Sequence, residues 1–208
     1  MTRRTIHSLF VAMLLVWPTL SQAAERHMFD KEHTTILFYI NHLGFSDKIG
    51  LLTDYDGFFT FDKDKPEQSS VEVTFRPSGI KTGSDALDKE LQSKDWFNAV
   101  EFPDITFKST QVKVTGKNTA DVTGWLSMLG KNHAITLKVT FNKMDVHPMT
   151  KKMVAGFSAD TEFKRSQFGL INGIPYVGDT VRIHIETEGV QQSAATADEP
   201  KAATNKKP

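Results

Sequence analysis

The stretch Ile80-Lys81-Thr82-Gly83-Ser84-Asp85-Ala86-Leu87-Asp88-Lys89-Glu90-Leu91-Gln92-Ser93-Lys94-Asp95-Trp96-Phe97 is a helical pattern in a chain that otherwise reads as strands. Asp85 can cap its first turn, and Asp88 sits where a carboxylate favours the helix dipole. Leu87 and Leu91 are four apart and share a face. Trp96, Phe97 and Phe102 then supply three large rings, and Pro103 restarts an extended run. A lone helix among strands plugs or covers something, so the reading turns on what surrounds it.

On its N-terminal side, residues 34–42 are β-branched and aromatic, with Ile36, Phe38, Ile40 and His42 on one face. Weaker strand patterns cover 49–55 and 58–61, and 70–75 alternates cleanly through Val71, Val73 and Phe75. On its C-terminal side, strands are expected at 105–108, 111–115, 120–128, 133–142, 153–165 and 180–188. Turns fall at Asp62–Pro66, Gly116–Asn118 and Gly130–Asn132. No βαβ rhythm and no fixed repeat is present. Short connections favour antiparallel pairing. The pattern predicts a mainly all-β fold, an eight-stranded antiparallel barrel with one short helix near an opening. A barrel of that size is either filled by side chains or holds one small ligand. The inward set carries Phe38, Phe59, Phe61, Phe75, Phe107, Phe141, Phe157 and Phe163. Such rings either fill a core or line a tunnel for a hydrocarbon chain.

The ends of the chain read differently. Arg3 and Arg4, the apolar run from Ile6 to Trp17, and Ser21-Gln22-Ala23 make a secretory signal peptide over residues 1–23. The protein is therefore expected in the periplasm, with residues 24–190 as one barrel domain. Residues 191–208 are rich in Ala, Thr, Lys and Pro and are expected to be a disordered tail. There is no cysteine, which excludes disulfides, thiol catalysis and lipid attachment through a thiol. A formal net charge of +0 argues against nucleic acid as a partner. Roughly 165 folded residues suffice for one sizeable core.

No hydrolase motif and no His-Glu-x-x-His is present, so neither a catalytic constellation nor a metal site is expected. A zinc site would have to assemble across strands. His42 ends an apolar row by strand parity. It reads as a core histidine on a backbone carbonyl or as a hydrogen-bonding group for a ligand head. Arg165 ends a strand where the inward face stops. It is placed either to pair with Asp85 or Asp88 or to hold an anionic or carbonyl head. Trp125 lies off the inward face of Leu126 by parity.

Several segments together resemble the YceI-like family, the lipocalin-like polyisoprenoid-binding proteins. They include Asp30-x-x-His33-Thr34-x-Ile36-x-Phe38-x-Ile40-x-His42-x-Gly44, Ile80-x-Thr82-Gly83 and Asp88-x-x-Leu91-x-Ser93-x-Asp95-Trp96-Phe97. Phe102-Pro103-x-Ile105-Thr106-Phe107-x-Ser109, Val122-Thr123-Gly124, Arg165-Ser166-x-Phe168-Gly169 and Val177-Gly178-Asp179 follow in order. The resemblance spans about residues 28 to 190. Two departures stand out: Leu87 replaces the family's usual arginine, and Gly130-Lys131-Asn132-His133-Ala134 differs from the family's Gly-Val-Thr-Lys-Pro turn. The resemblance implies a non-enzymatic protein that holds an isoprenoid lipid, quinone-like molecule or other long-chain amphiphile inside the barrel, with no further cofactor. The expected ligand-binding residues are Phe38, Ile40, His42, Phe59, Phe61, Phe75, Leu91, Trp96, Phe97, Phe107, Phe157, Arg165 and Phe168. Transient membrane contact and a homodimer are compatible further partnerships. Two alternatives stay open: an enzyme acting on a lipid head group through His42 and Arg165, and an interaction module with a solid core.

Overall fold

The computed structural model describes residues 24–192. The expected signal peptide and residues 193–208 of the expected tail lie outside the described residues. Strands in chain order are β1 (Glu25–Phe29), β2 (Thr35–His42), β3 (Ser46–Leu52), β4 (Tyr55–Phe61), β5 (Ser70–Phe75) and β6 (Ile80–Lys81). After the helix α1 (Asp85–Leu91) come β7 (Ile105–Val114), β8 (Thr119–Met128), β9 (Lys131–Val146), β10 (Met153–Lys164) and β11 (Val177–Gln191). Gln191, placed in the tail by composition, is the last residue of β11.

These eleven strands make eight staves of a closed antiparallel barrel, because three staves are each broken once. β1 and β2 both lie along one edge of β11, and β10 runs along the other. β4 pairs with β1 and β5, while β3 pairs with β2 and β6. The first two broken staves thus keep both neighbours across the kink, while the β5/β6 stave keeps only one, since β6 pairs with β3 alone. Backbone bonds hold the breaks in step: Arg76 N donates to the Asp54 carbonyl and Thr53 N to the Gly79 carbonyl, both at 2.9 Å. The two expected strands at 105–108 and 111–115 are one strand, β7, with a bulge between Ser109 and Gln111. The β8–β9 turn is Leu129-Gly130, both at positive φ, the backbone that a two-residue hairpin requires.

Side-chain alternation sorts the wall. Ile36, Tyr55, Phe59, Phe61, Val73, Phe107, Val122, Leu126 and Ala159 are buried on the inner side. The outer face carries cross-strand ion pairs such as Lys108–Glu72 at 3.0 Å and Lys138–Asp121 at 2.8 Å. Trp125, at 52% exposure, lies on the outer face as parity predicts. Membrane barrels present an apolar band outward. The charges here are on the outside, so the apolar face belongs to the interior.

Three glycines make room for rings on the inner wall: at Gly189 a Cβ would come within 2.3 Å of the Phe59 ring. At Gly124 a Cβ would come within 2.6 Å of the Phe107 ring and 2.5 Å of the Lys108 carbonyl oxygen. At Gly50 it would come within 2.2 Å of the Phe38 ring. Each ring occupies the place of its neighbour's missing side chain and does not project across the bore.

The helix departs from its sequence reading in two respects. It ends at Leu91, and the run to Phe102 continues as turns (Trp96 N donates to the Ser93 carbonyl at 3.1 Å). The cap is Ser84, which accepts from Leu87 N at 3.4 Å; Asp85 is the first helical residue. Asp88 turns back toward the β6 side. It is buried, and one carboxylate oxygen accepts from Thr82 N and Thr82 Oγ1, both at 2.7 Å. Lys81 Nζ lies 3.6 Å from the other oxygen. Asp88 therefore ties the start of α1 to the strand before it.

Gly124→Ala is expected to lower unfolding free energy by about 1–3 kcal/mol, the range for overpacking a filled site; denaturant titration measures it. The Thr82 bonds hold the Asp88 pKa below the usual carboxylate value. Its stabilising effect is therefore complete above the unfolded-state pKa of about 4 and is lost as pH falls through the lower folded value. The fall in thermal midpoint on acidification below about pH 4 should be shallower in Asp88→Asn than in the parent chain.

Candidate ligand-binding cavity

The bore is open. A cavity of about 960 Å³ runs through the barrel, at the upper end of the roughly 300–1,000 Å³ typical of small-molecule sites. At the α1 end it is bounded by His42, Ser46, Asp47, Lys48, Ser84, Leu87 and Glu90. At the opposite end it reaches Lys63, Ser69, Lys117 and Asn118. Between these polar ends the lining is almost wholly apolar.

The inner wall is built from strand faces. At the end away from α1, Phe59, Phe61, Phe141 and Phe157 form an aromatic cage. Phe157 meets Phe61 edge-on at 5.1 Å and Phe59 at 5.3 Å, the T-shaped geometry that ring quadrupoles favour. Phe75 and Phe107 line the middle with Ile36, Val73 and Leu126. Phe38 and Ile40 follow along β2 toward the mouth, with Leu91, Trp96 and Phe97 from the helical segment. Leu87, which stands at the family's usual arginine position, also faces the cavity and makes this side of the mouth apolar.

Three site expectations need correction. His42 is exposed at the rim and is not a core histidine. Arg165 lines the cavity but forms no pair with Asp85 or Asp88. It is 1% exposed, and it donates to the carbonyls of Gly178 (Nε, 2.8 Å), Leu170 (Nη1, 2.7 Å) and Val177 (Nη2, 3.0 Å). The guanidinium thus pins residues 170–178 over the barrel end, and its carbon stands 5.7 Å from the Trp96 ring centre. Burial draws its pKa below the ordinary arginine value, opposed by the field of Asp179. Asp179 itself accepts from Ser166 N and Ser166 Oγ, both at 2.9 Å. Phe168 is the third correction. It is 1% exposed and lies outside the cavity lining, packed edge-on against His133 at 5.0 Å and Phe163 at 5.6 Å. It is an anchor beneath the wall.

The sequence reading missed Tyr55, Thr34, Thr187 and Ala159, all of which line the bore. Inward parity was available for Ala159, but its small side chain carried no signal. Tyr55 read as the end of a weak strand, whereas it is the first residue of β4. A cross-strand group, Asp30, His33 and Glu188, brings ligand-type atoms within 4.8 Å of one another. Its histidine Nδ1 is held by Asp30 Oδ2 at 2.8 Å, and the group lies outside the cavity lining.

Comparison with known proteins agrees with this architecture. The YceI-like domain model matches residues 27–189. The chain is 36% identical to a UPF0312 protein of Pseudomonas putida (strain GB-1) over 92% of this chain and 100% of that one. It is 34% identical, with the same coverage, to a UPF0312 protein of Azotobacter vinelandii. Among solved structures, Burkholderia cenocepacia BcnA superposes with a TM-score of 0.70 at 24% identity, covering 77% of this chain and 98% of that one. A polyisoprenoid binding domain from Saccharophagus degradans superposes with a TM-score of 0.63 at 10% identity, covering 81% and 99%. The chain belongs to the YceI-like family.

Proposed function

We propose that this protein binds one long apolar chain, of isoprenoid or similar amphiphile type, along the barrel bore. The observation that carries this reading is the open cavity of about 960 Å³ walled mainly by rings and aliphatic side chains, with its charged residues gathered toward the ends. Burial of each ligand methylene contributes about 0.8 kcal/mol. Ordering a long chain and losing its free motion offset much of that gain. A rigid aromatic wall limits the offset on the protein's side. The polyisoprenoid-binding assignment of the Saccharophagus relative supports the same ligand class.

The signal-like N-terminus supports a periplasmic carrier, scavenger or store. Apolar side chains at the mouth support passing contact with a membrane. The 43–45 turn and the 170–176 loop are joined by Leu43 N donating to the Tyr176 carbonyl at 2.7 Å. Together they expose Phe45 (88%), Ile171 and Tyr176 beside the opening. A binding role fits better than catalysis. Arg165 is committed to three backbone carbonyls, and His42 stands at the solvent-facing rim. The open bore also argues against a solid-core interaction module.

Ala159 tests the reading, because its small side chain faces the bore from the middle of β10. Ala159→Trp is expected to fill the passage. Delipidated parent protein should gain thermal stability on titration with a long-chain polyprenol or ubiquinone. The variant should fold but lose most of that gain. A parent chain that gains nothing from either lipid contradicts the proposal.

A further inference from the structure

Among the described residues, Tyr55 carries the one buried side-chain polar atom of the cavity wall without a hydrogen-bond partner. Its side chain is 3% exposed and lines the cavity. Its hydroxyl is one of two buried side-chain polar atoms without a hydrogen-bond partner among the described residues; the other, His27 Nε2, is outside the cavity lining. The ring is fixed on several sides. Phe29 meets it edge-on at 6.3 Å, Phe75 is tilted against it at 6.2 Å, and Lys31 Nζ stands 5.7 Å from its centre. Thr34 Oγ1 lies close enough to lower the phenol's pKa slightly, but it sits outside hydrogen-bond geometry with Tyr55 and is bonded to Thr187 Oγ1 at 2.8 Å. Burial raises the Tyr55 pKa, so the group stays a protonated donor at neutral pH.

Buried donors in folded proteins are almost always matched, and an unmatched one marks a place where something else supplies the acceptor. Resting on the reading that the bore holds a long apolar ligand, the geometry points to Tyr55 as the donor to an acceptor oxygen of that ligand, at a level inside the barrel wall. Tyr55 stands between Leu52 and Phe59 on one stave, both of which line the bore, so this level is well below the mouth. That position restricts the ligand's chemistry. A phosphate here would face apolar walls, which a charge tolerates poorly. The nearby cation, Lys31, is bonded to Asp56 at 2.6 Å. The oxygen is therefore neutral, of the carbonyl or quinone kind. A plain polyprene would bury the phenol with no acceptor, and an oxygenated isoprenoid satisfies it.

The test compares squalene with a ubiquinone of matched chain length, each titrated into delipidated parent protein and Tyr55→Phe. The parent should favour the quinone. Tyr55→Phe should weaken quinone binding roughly 3- to 10-fold, the worth of one neutral hydrogen bond, and leave squalene binding unchanged or tighter. The infrared carbonyl band of quinone bound to the parent should lie below its position in hexane, a readout that does not depend on the variant's folding. Quinone that binds both proteins equally, or shows no carbonyl shift in the parent, overturns the Tyr55 assignment and leaves the cavity reading intact. Failure of both probes to bind the parent overturns the cavity reading and this assignment with it.

Discussion

Rings laid flat against the wall set the character of this molecule. An eight-stranded barrel has an interior that ordinary side chains just fill. Phe38 and Phe107 avoid filling it by lying over Gly50 and Gly124 of neighbouring strands. The bore then keeps about 960 Å³ of apolar space. Atoms that line an empty space forgo dispersion contacts on that side. The closed ladder of staves and the side-chain clusters around Phe107 and Phe59 must therefore hold the fold around an open bore, and a bound hydrocarbon chain would return the missing contacts. The same packing choice thus thins the core and creates the site.

The mouth is framed by two buried charges, each tying a loop to the barrel. Asp88 takes both Thr82 donors and fixes where α1 leaves the sheet. Arg165 spends its donors on three carbonyls between Leu170 and Gly178 and fixes the loop before β11. Neither depends on an exposed ion pair, whose contribution would be slight and screened by salt. Between these anchors the mouth is apolar, through Leu87, Leu91, Trp96 and Phe97. This arrangement gives a tethered mouth whose walls suit hydrocarbon and whose rim carries the polar groups.

Much of this was legible from residue patterns. Period-two alternation in β2, β5, β8 and β10 put the correct side chains inside, because a one-residue slip would have turned charges inward. The helix and its aromatic corner fell within the expected stretch, although only Asp85–Leu91 is helical. The kinks did not show, because a stave broken at residues 30–34 or 53–54 looks like two strands when only neighbours in sequence are visible. β1 was missed for the same reason: its partners, Phe58–Phe61 and Gly189–Gln191, are distant in the chain. Arg165 suggested a carboxylate partner, since side-chain type cannot reveal that backbone carbonyls converge on one point. Phe168 shared the aromatic character of the wall but lies on a 3-10 turn, where strand parity no longer applies. Tyr55 went unnoticed because an unmatched hydroxyl is a property of its surroundings and not of its residue type.

The bore is proposed to be a lipid channel and not a loosely packed core. A crystal structure of the protein purified from its own host, without delipidation, tests it most directly. A continuous tube of electron density is expected from the Leu91–Trp96 mouth toward the Phe61–Phe157 cage, with the Phe38 and Phe107 rings still over Gly50 and Gly124. Rings rotated inward to close the bore, with no tube of density, would contradict it.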